Sequence, residues 1–370
     1  MKIAIIGTVG VPGRYGGFET LAQNLVQCHK NTKQTFKLTV WCSGKDNPEK
    51  LASFESADLR YVNLSANGMQ SIPYDILSIY QAVRNGYDCI LLLGVSGALA
   101  IPLIRLISGV RIITNIDGIE WKRDKWKGLA SLFLRISEWA AVRFSHEVIA
   151  DNQAIADYAS EIYGSDCKVI AYGGDHALDH VDQTDIPANL PAHYALALCR
   201  IEPENNVHVI LKAYNDLDAN IVFVGNWDNS TYGRNLKAQY GNCSNLYLLN
   251  PVYECNMLYA LRANASVYIH GHSAGGTNPS LVEMMHFGIP IFAHGCFFNR
   301  YTTEGKARYF MSESELVALQ RHLNSDFAIC IGADMREIAQ RRYKWDDIGN
   351  AYFELLVSDN YQAIGANKKA

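Results

Sequence analysis

Short runs rich in β-branched residues alternate with longer amphipathic runs along nearly the whole chain. In the first half, residues 2–7, 37–42, 59–64, 88–94, 110–115, 147–150 and 168–172 read as strands bounded by turn residues. Between them, 18–30, 74–85, 97–108, 126–144 and 153–163 repeat their apolar positions at helical spacing. The strands are almost continuously apolar, as expected where both faces of a sheet are covered. The pattern predicts a parallel sheet with helices on both sides, a doubly wound α/β domain.

The rhythm breaks over 173–192, where glycine, aspartate and two prolines gather, and then restarts. Strands fit at 194–199, 220–225, 246–249, 265–270 and 289–293, and helices at 204–217, 232–240, 255–262, 279–288 and 313–323. A chain of 370 residues is long enough for two domains. The expected division is a Rossmann-like domain over 1–175, a second over 190–345, and a C-terminal helix and tail over 346–370. The helix at 346–358 is long enough to cross back onto the first domain. Two such domains would face a central cleft at the carboxyl ends of their sheets, where open α/β sheets bind ligands.

Composition narrows the function. Lys and Arg number 33 against 37 Asp and Glu, a net charge of −4, so the chain as a whole offers no field for nucleic acid. Nine cysteines are scattered singly without a C-x-x-C pair, as in a cytoplasmic protein with reduced thiols. The apolar run at 3–6 is too short for an export signal. The longest uncharged stretch, 89–104, is too short to span a membrane and reads as a buried strand, a turn and a helix start.

Two loops carry the chemistry. The first, 7–20, holds five glycines between a strand and a helix, including Gly16 and Gly17, with Arg14, Tyr15 and Glu19 beside them. Glycines let the backbone turn sharply and let a ligand approach closely, and helix N-termini favour anions. The spacing is not G-x-G-x-x-G, so a phosphate- or sugar-facing loop fits better than a nicotinamide site. The second, 270–283, runs from a strand through small residues into a helix opened by Pro279. Amides from Thr277 onward would point from that helix end toward a pyrophosphate. Glu283, one turn in, is either a ribose-binding carboxylate or a solvated helix acid. His270 and His272 share one strand face, but no acidic or thiol ligand completes a metal set beside them.

The stretches Arg14-Tyr15-Gly16-Gly17-Phe18-Glu19, 115–123, 200–206 and 275–283, with Arg342-Tyr343-Lys344-Trp345 before the last helix, together resemble one bacterial group. It is the rhamnosyltransferase-like subgroup of glycosyltransferase family 4, which has the GT-B fold. The resemblance implies retaining transfer of a sugar from a nucleotide donor, without a metal or other cofactor. The donor would be dTDP-rhamnose or a UDP-sugar, held mainly by the second domain. The acceptor would be a saccharide, lipid-linked, in bacterial surface-polysaccharide synthesis.

In that family an acidic pair is spaced E-x7-E. Glu283 matches the second acid, whereas the first falls on Gly275, with Asn278 as a substitute able to donate and accept. The diphosphate-binding arginine falls on Arg200 and its lysine on Asn205. The resemblance therefore places the donor on Gly16, Gly17, Arg200, Asn205, Gly276, Thr277, Asn278 and Glu283. Catalysis falls to Asp117 and Arg200, and the acceptor side to Arg14, Tyr15, Glu19 and Glu120. Asp117 also reads as a turn residue before Gly118. A non-catalytic sugar-nucleotide binder, an epimerase of the same fold and an NAD(P)-dependent oxidoreductase stay open as alternatives.

Between 122 and 143 six basic residues stand against Asp124 and Glu138, a local net of +4, with Trp121, Trp126 and Trp139 among them. A basic segment with aromatic anchors suits peripheral contact with anionic headgroups, here over 121–143, or else an amphipathic helix with a solvated rim.

Overall fold

The computed structural model describes residues 1–13, 16–116, 118, 119, 121, 128–179, 187 and 189–358. The chain forms two compact units, one from Met1 to Ala171 together with the chain from Trp345 onward, the other from Tyr172 to Lys344.

The first unit contains β1 (Lys2–Ile6), α1 (Gly17–Asn31), β2 (Lys37–Ser43), β3 (Ser53–Phe54), β4 (Ala57–Val62), α2 (Ser71–Arg84) and β5 (Cys89–Leu93). It continues with α3 (Ile101–Ile107), β6 (Arg111–Ile116), α4 (Leu129–Phe144), β7 (Glu147–Ala150), α5 (Gln153–Tyr163) and β8 (Lys168–Val169). The strands form one sheet in the order β3-β4-β2-β1-β5-β6-β7-β8, parallel except for β3 against β4. Ile3 to Ile6 and Cys89 to Leu93 are buried throughout, which explains why the central strands read as unbroken apolar runs.

In the second unit, β9 (Ala195–Leu198), α6 (Val207–Asn215), β10 (Ile221–Val224), α7 (Thr231–Tyr240), β11 (Leu246–Leu249), α8 (Cys255–Ala263) and β12 (Val267–His270) come first. They are followed by α9 (Pro279–Phe287), β13 (Ile291–His294), α10 (Phe297–Thr302), β14 (Arg308–Phe310), α11 (Glu313–Arg321) and α12 (Ser325–Arg342). The sheet is fully parallel, in the order β11-β10-β9-β12-β13-β14. Three of these elements, α10, β14 and α12, were not expected from the sequence. The first two are six and three residues long and interrupted by charge, which hides their period. The third carries a glycine in its middle. Gly332 sits there because α12 packs closely on the turn after α9, where a Cβ would lie 2.2 Å from the Gly288 carbonyl oxygen.

The last helix, α13 (Trp345–Val357), belongs to the first unit. Gly349 lets it press against α1, and a Cβ there would come 2.8 Å from that of Cys28. Cys28 donates its thiol to the Trp345 carbonyl at 3.3 Å. Arg111 on β6 donates to the Leu355 carbonyl at 2.5 Å, and the Asn115 amide donates to the Tyr352 hydroxyl at 2.6 Å. The helix thus closes one face of the first sheet with apolar contact and with hydrogen bonds to buried strand residues.

Gly349→Val should therefore overpack the α1–α13 contact and cost about 1–3 kcal/mol. A denaturant melt followed by tryptophan fluorescence will show the lowered midpoint. Gly109→Ala, placed where a Cβ meets nothing within 4 Å, should leave it unchanged.

Candidate active site

The strand order of the second sheet reverses between β9 and β12. At such a switch point the loops leaving two adjacent strands diverge, and the crevice between them is where open α/β sheets take their ligands. One loop, leaving β9, carries Arg200; the other, leaving β12, carries residues 271–278. Four contacts join them. Asn206 donates its side-chain amide to the Gly271 carbonyl at 2.8 Å. Ser273 gives both its backbone N–H, at 3.0 Å, and its hydroxyl, at 2.8 Å, to the Glu204 carbonyl. Gly271 lies so close to the other loop that a Cβ would sit 2.1 Å from the Asn205 carbonyl oxygen.

Asn205 is only 2% exposed, and its side-chain amide donates to the Arg200 carbonyl at 2.7 Å. A buried amide with a fixed partner braces the loop from inside; a lysine here would have to bury a charge. Arg200 keeps its guanidinium partly exposed, with Nη1 3.6 Å from a Glu202 carboxylate oxygen.

The loop after β12 turns through Gly275 at φ 116°, a conformation that favours glycine. Thr277 is buried, and Asn278 caps α9 by accepting the Ser280 N–H at 3.0 Å. Every residue from Leu281 to Phe287 is buried, so α9 is enclosed on all sides beyond its half-buried first two residues. That enclosure overturns the reading of Glu283 as a solvated acid. Its carboxylate pairs with Arg262 from α8, and its other oxygen lies 3.4 Å from His176 Nε2. Burial alone would push the carboxyl up, but the Arg262 charge and the His176 contact outweigh it and hold Glu283 below the ordinary carboxylate range.

His176 reaches α9 because Gly174 brings the preceding segment against it, where a Cβ would meet the Val282 carbonyl carbon at 2.6 Å. His270 and His272 stack with ring centroids 4.4 Å apart. Burial pushes His270 well below the usual imidazole range, reinforced by His272 and His294. Among the described residues no group of three His, Cys, Asp or Glu side chains is placed to hold a metal ion.

The glycine-rich loop of the first unit is tied down between Thr8 and Gly13. Glu19 Oε1 accepts the Thr8 hydroxyl at 3.0 Å and the Val9 N–H at 2.8 Å. Tyr74 donates its hydroxyl to the Thr8 carbonyl at 2.9 Å, Asn47 donates to the Val9 carbonyl at 2.8 Å, and Gly13 donates to Gln23 at 2.7 Å. Glu19, expected on the acceptor side, is thus the clamp of its own loop. Gly16 precedes α1 at φ 127°, and Gly17 is its first residue. Arg14, Tyr15, Asp117 and Glu120 lie outside the described residues.

Sequence reasoning missed Arg262 and His176, which surround Glu283, and it missed a second buried carboxylate. Glu138, 2% exposed on α4, accepts the hydroxyls of Tyr158 at 2.8 Å and Tyr163 at 2.7 Å, and the Trp121 indole N–H at 3.4 Å. The one available signal was that Glu138 is the sole acid on an apolar helix.

Residues 1–175 match the family model "domain of unknown function (DUF1972)", and residues 182–325 match "glycosyl transferases group 1". No curated protein matches the sequence. Among solved structures, the chain is similar to sucrose-phosphate synthase from Thermosynechococcus elongatus, with 15% identity, TM-score 0.77 and 99% of each chain covered. It is similar to Anabaena HepE in complex with UDP-glucose, with 17% identity and TM-score 0.72, over 97% of this chain and all of that one. The catalytic domain of starch synthase IV from Arabidopsis thaliana, bound to ADP and acarbose, matches at 12% identity and TM-score 0.72, covering 96% of this chain and 98% of the other. With a glycosyl transferases group 1 match in its second unit and GT-B neighbours along its length, the chain is a sugar-transferring enzyme of the GT-B fold.

Proposed function

We propose that the chain moves a sugar from a nucleoside diphosphate donor to a saccharide acceptor with retention of anomeric configuration, holding the donor on its second unit. The observation that carries this reading is the joined pair of loops at the β9–β12 switch point. One of them carries a partly exposed guanidinium, Arg200, and the other leads into α9. Bond cleavage at the anomeric carbon leaves charge on the diphosphate. A planar guanidinium and preorganised N–H groups at a helix end meet that charge without reorganising. Arg200 and the amides from Gly276 through Thr277 take this role. Asn205 acts indirectly, fixing the Arg200 backbone.

Asn278 has its side-chain oxygen committed to the cap, so its amide N–H groups are what it offers a sugar hydroxyl. Glu283 is assigned to the ribose. Arg262 and His176 each engage one of its oxygens, and a carboxylate oxygen has a second lone pair to give. Asp117 is assigned to orienting the reacting sugar, with Arg14, Tyr15 and Glu120 on the acceptor side and Glu19 acting through the glycine-rich loop it clamps. The donor is dTDP-rhamnose or a UDP-sugar, and the acceptor a lipid-linked saccharide of bacterial surface polysaccharide. Support for a uridine donor comes from HepE, which is seen with UDP and with UDP-glucose.

Thermal shift with UDP, dTDP, ADP and NAD(P) at matched concentrations tests the donor class, because a ligand specific to the folded state raises its melting temperature. A shift with UDP or dTDP is expected; a shift with NAD(P) alone would overturn the reading. Arg200→Ala should lower kcat about 10²–10³-fold at saturating donor while leaving the melting temperature unchanged.

Arg262→Met should destabilise the second unit by about 3–5 kcal/mol, since it strands a buried carboxylate. The pH dependence follows from the depressed Glu283 carboxyl. Its contribution to stability is present above the ordinary carboxyl value of 4.5 and is lost as pH falls through the lower folded value. Urea melts of Glu283→Gln should lack that acid-side loss.

A further inference from the structure

We infer that α3 and the outer face of α4 form one surface that seats on anionic lipid headgroups. The inference rests on two helices of the first unit and is independent of the reading of the donor.

A helix of a soluble α/β domain normally turns its polar side outward. Here both sides of two neighbouring helices are apolar. On α3, Ile101 and Ile104 face the core while Leu103, Leu106 and Ile107 face outward, Leu106 being 83% exposed. On α4, Leu134, Ala140 and Ala141 face inward, whereas Leu129, Leu132, Ile136 and Trp139 lie outside, Leu129 being 85% exposed. The spacing of 129, 132, 136 and 139 puts those four on a single stripe. The two helices pack on one another, so their outer faces adjoin. Exposed apolar patches of this extent mark an interaction site.

Charge decides the occupant. Arg105 on α3 and Arg135 and Arg143 on α4 are exposed beside the apolar residues. Arg105 donates to the Phe144 carbonyl at 2.9 Å, Arg143 lies over the Phe144 ring, and Trp139 packs edge-on to the same ring at 5.4 Å. From 97 to 116 there is no acidic residue, and from 128 to 145 the one acid, Glu138, is buried among tyrosines. A second copy laid on this face would set arginines against arginines with nothing to neutralise them. An anionic bilayer supplies the missing charge, and its acyl boundary takes the leucines and Trp139. No helix among the described residues is long and apolar enough to cross a membrane, so the two helices would lie in the interface plane. The sequence placed the contact on 121–143; the structure adds α3, which reads from sequence as part of a helix over 97–108.

The test is flotation of the full chain, without donor or acceptor, with vesicles of phosphatidylcholine alone or with about one-third phosphatidylglycerol. Three arginines near an anionic surface should tighten binding on the order of a hundredfold over the neutral vesicles. Leu106→Glu and Leu132→Glu, both at exposed positions, should each weaken binding by about tenfold or more at an unchanged melting temperature. Equal binding to both vesicle types, or full binding by the double variant, would overturn the inference. So would a dimer in light scattering that the same substitutions split, because a second copy would then cover the face.

Discussion

The second unit is organised around one helix that has no solvent side. Because α9 is buried from Leu281 to Phe287, each polar group it carries must find a partner inside the protein. Glu283 takes Arg262 and His176, and His286 Nε2 lies 2.9 Å from the Tyr343 carbonyl. That carbonyl also accepts the Gly174 N–H at 2.8 Å. The two segments at which the chain enters and leaves the second unit therefore meet on the same helix. A buried ion pair is weak evidence for stability, but leaving one of its members alone is costly. The arrangement fixes α9 in place, and with it the helix end assigned to the donor diphosphate.

Much of this architecture is written in hydrophobic period. The central strands were legible because burial on both faces leaves them no polar positions, and α13 was legible from its run of apolar residues after Trp345. What stayed hidden is instructive. Ile331, Met335, Ile338 and Ala339 of α12 make a proper helical stripe, yet Gly332 beside them obscured it. That glycine answers to a neighbouring backbone, and close approach between distant segments leaves no local pattern. The same holds for Arg262 and His176, which lie 21 residues before Glu283 and 107 before it, and which only the fold brings together.

The glycine-rich loops show a related limit. From composition alone, the stretch before α1 could be a flexible connector. Its glycines instead permit tight packing: a Cβ at Gly7 would sit 2.0 Å from the Leu93 carbonyl oxygen, and one at Gly10 would sit 2.8 Å from the Cys42 sulfur. Glu19, Tyr74 and Asn47 then satisfy backbone groups of Thr8 and Val9. A loop held this way would lose little entropy on meeting the proposed ligand, which is how preorganisation raises affinity.

The two departures from the family pattern that this chain resembles each have a reason in the backbone. That pattern would put a glutamate where Gly275 stands and a lysine where Asn205 stands. Removing one negative and one positive group leaves the net charge of the site unaltered. At φ 116° a glutamate would be strained, so the loop after β12 has taken a shape that excludes the acid. Asn205, meanwhile, is buried under the adjoining loop, with Gly271 pressed against its carbonyl. A lysine at that depth would bear the cost of burying a charge. A neutral amide that binds the Arg200 carbonyl keeps the loop's position and avoids that cost. The remaining positive charge, Arg200, keeps its guanidinium partly exposed, available to the diphosphate proposed for it.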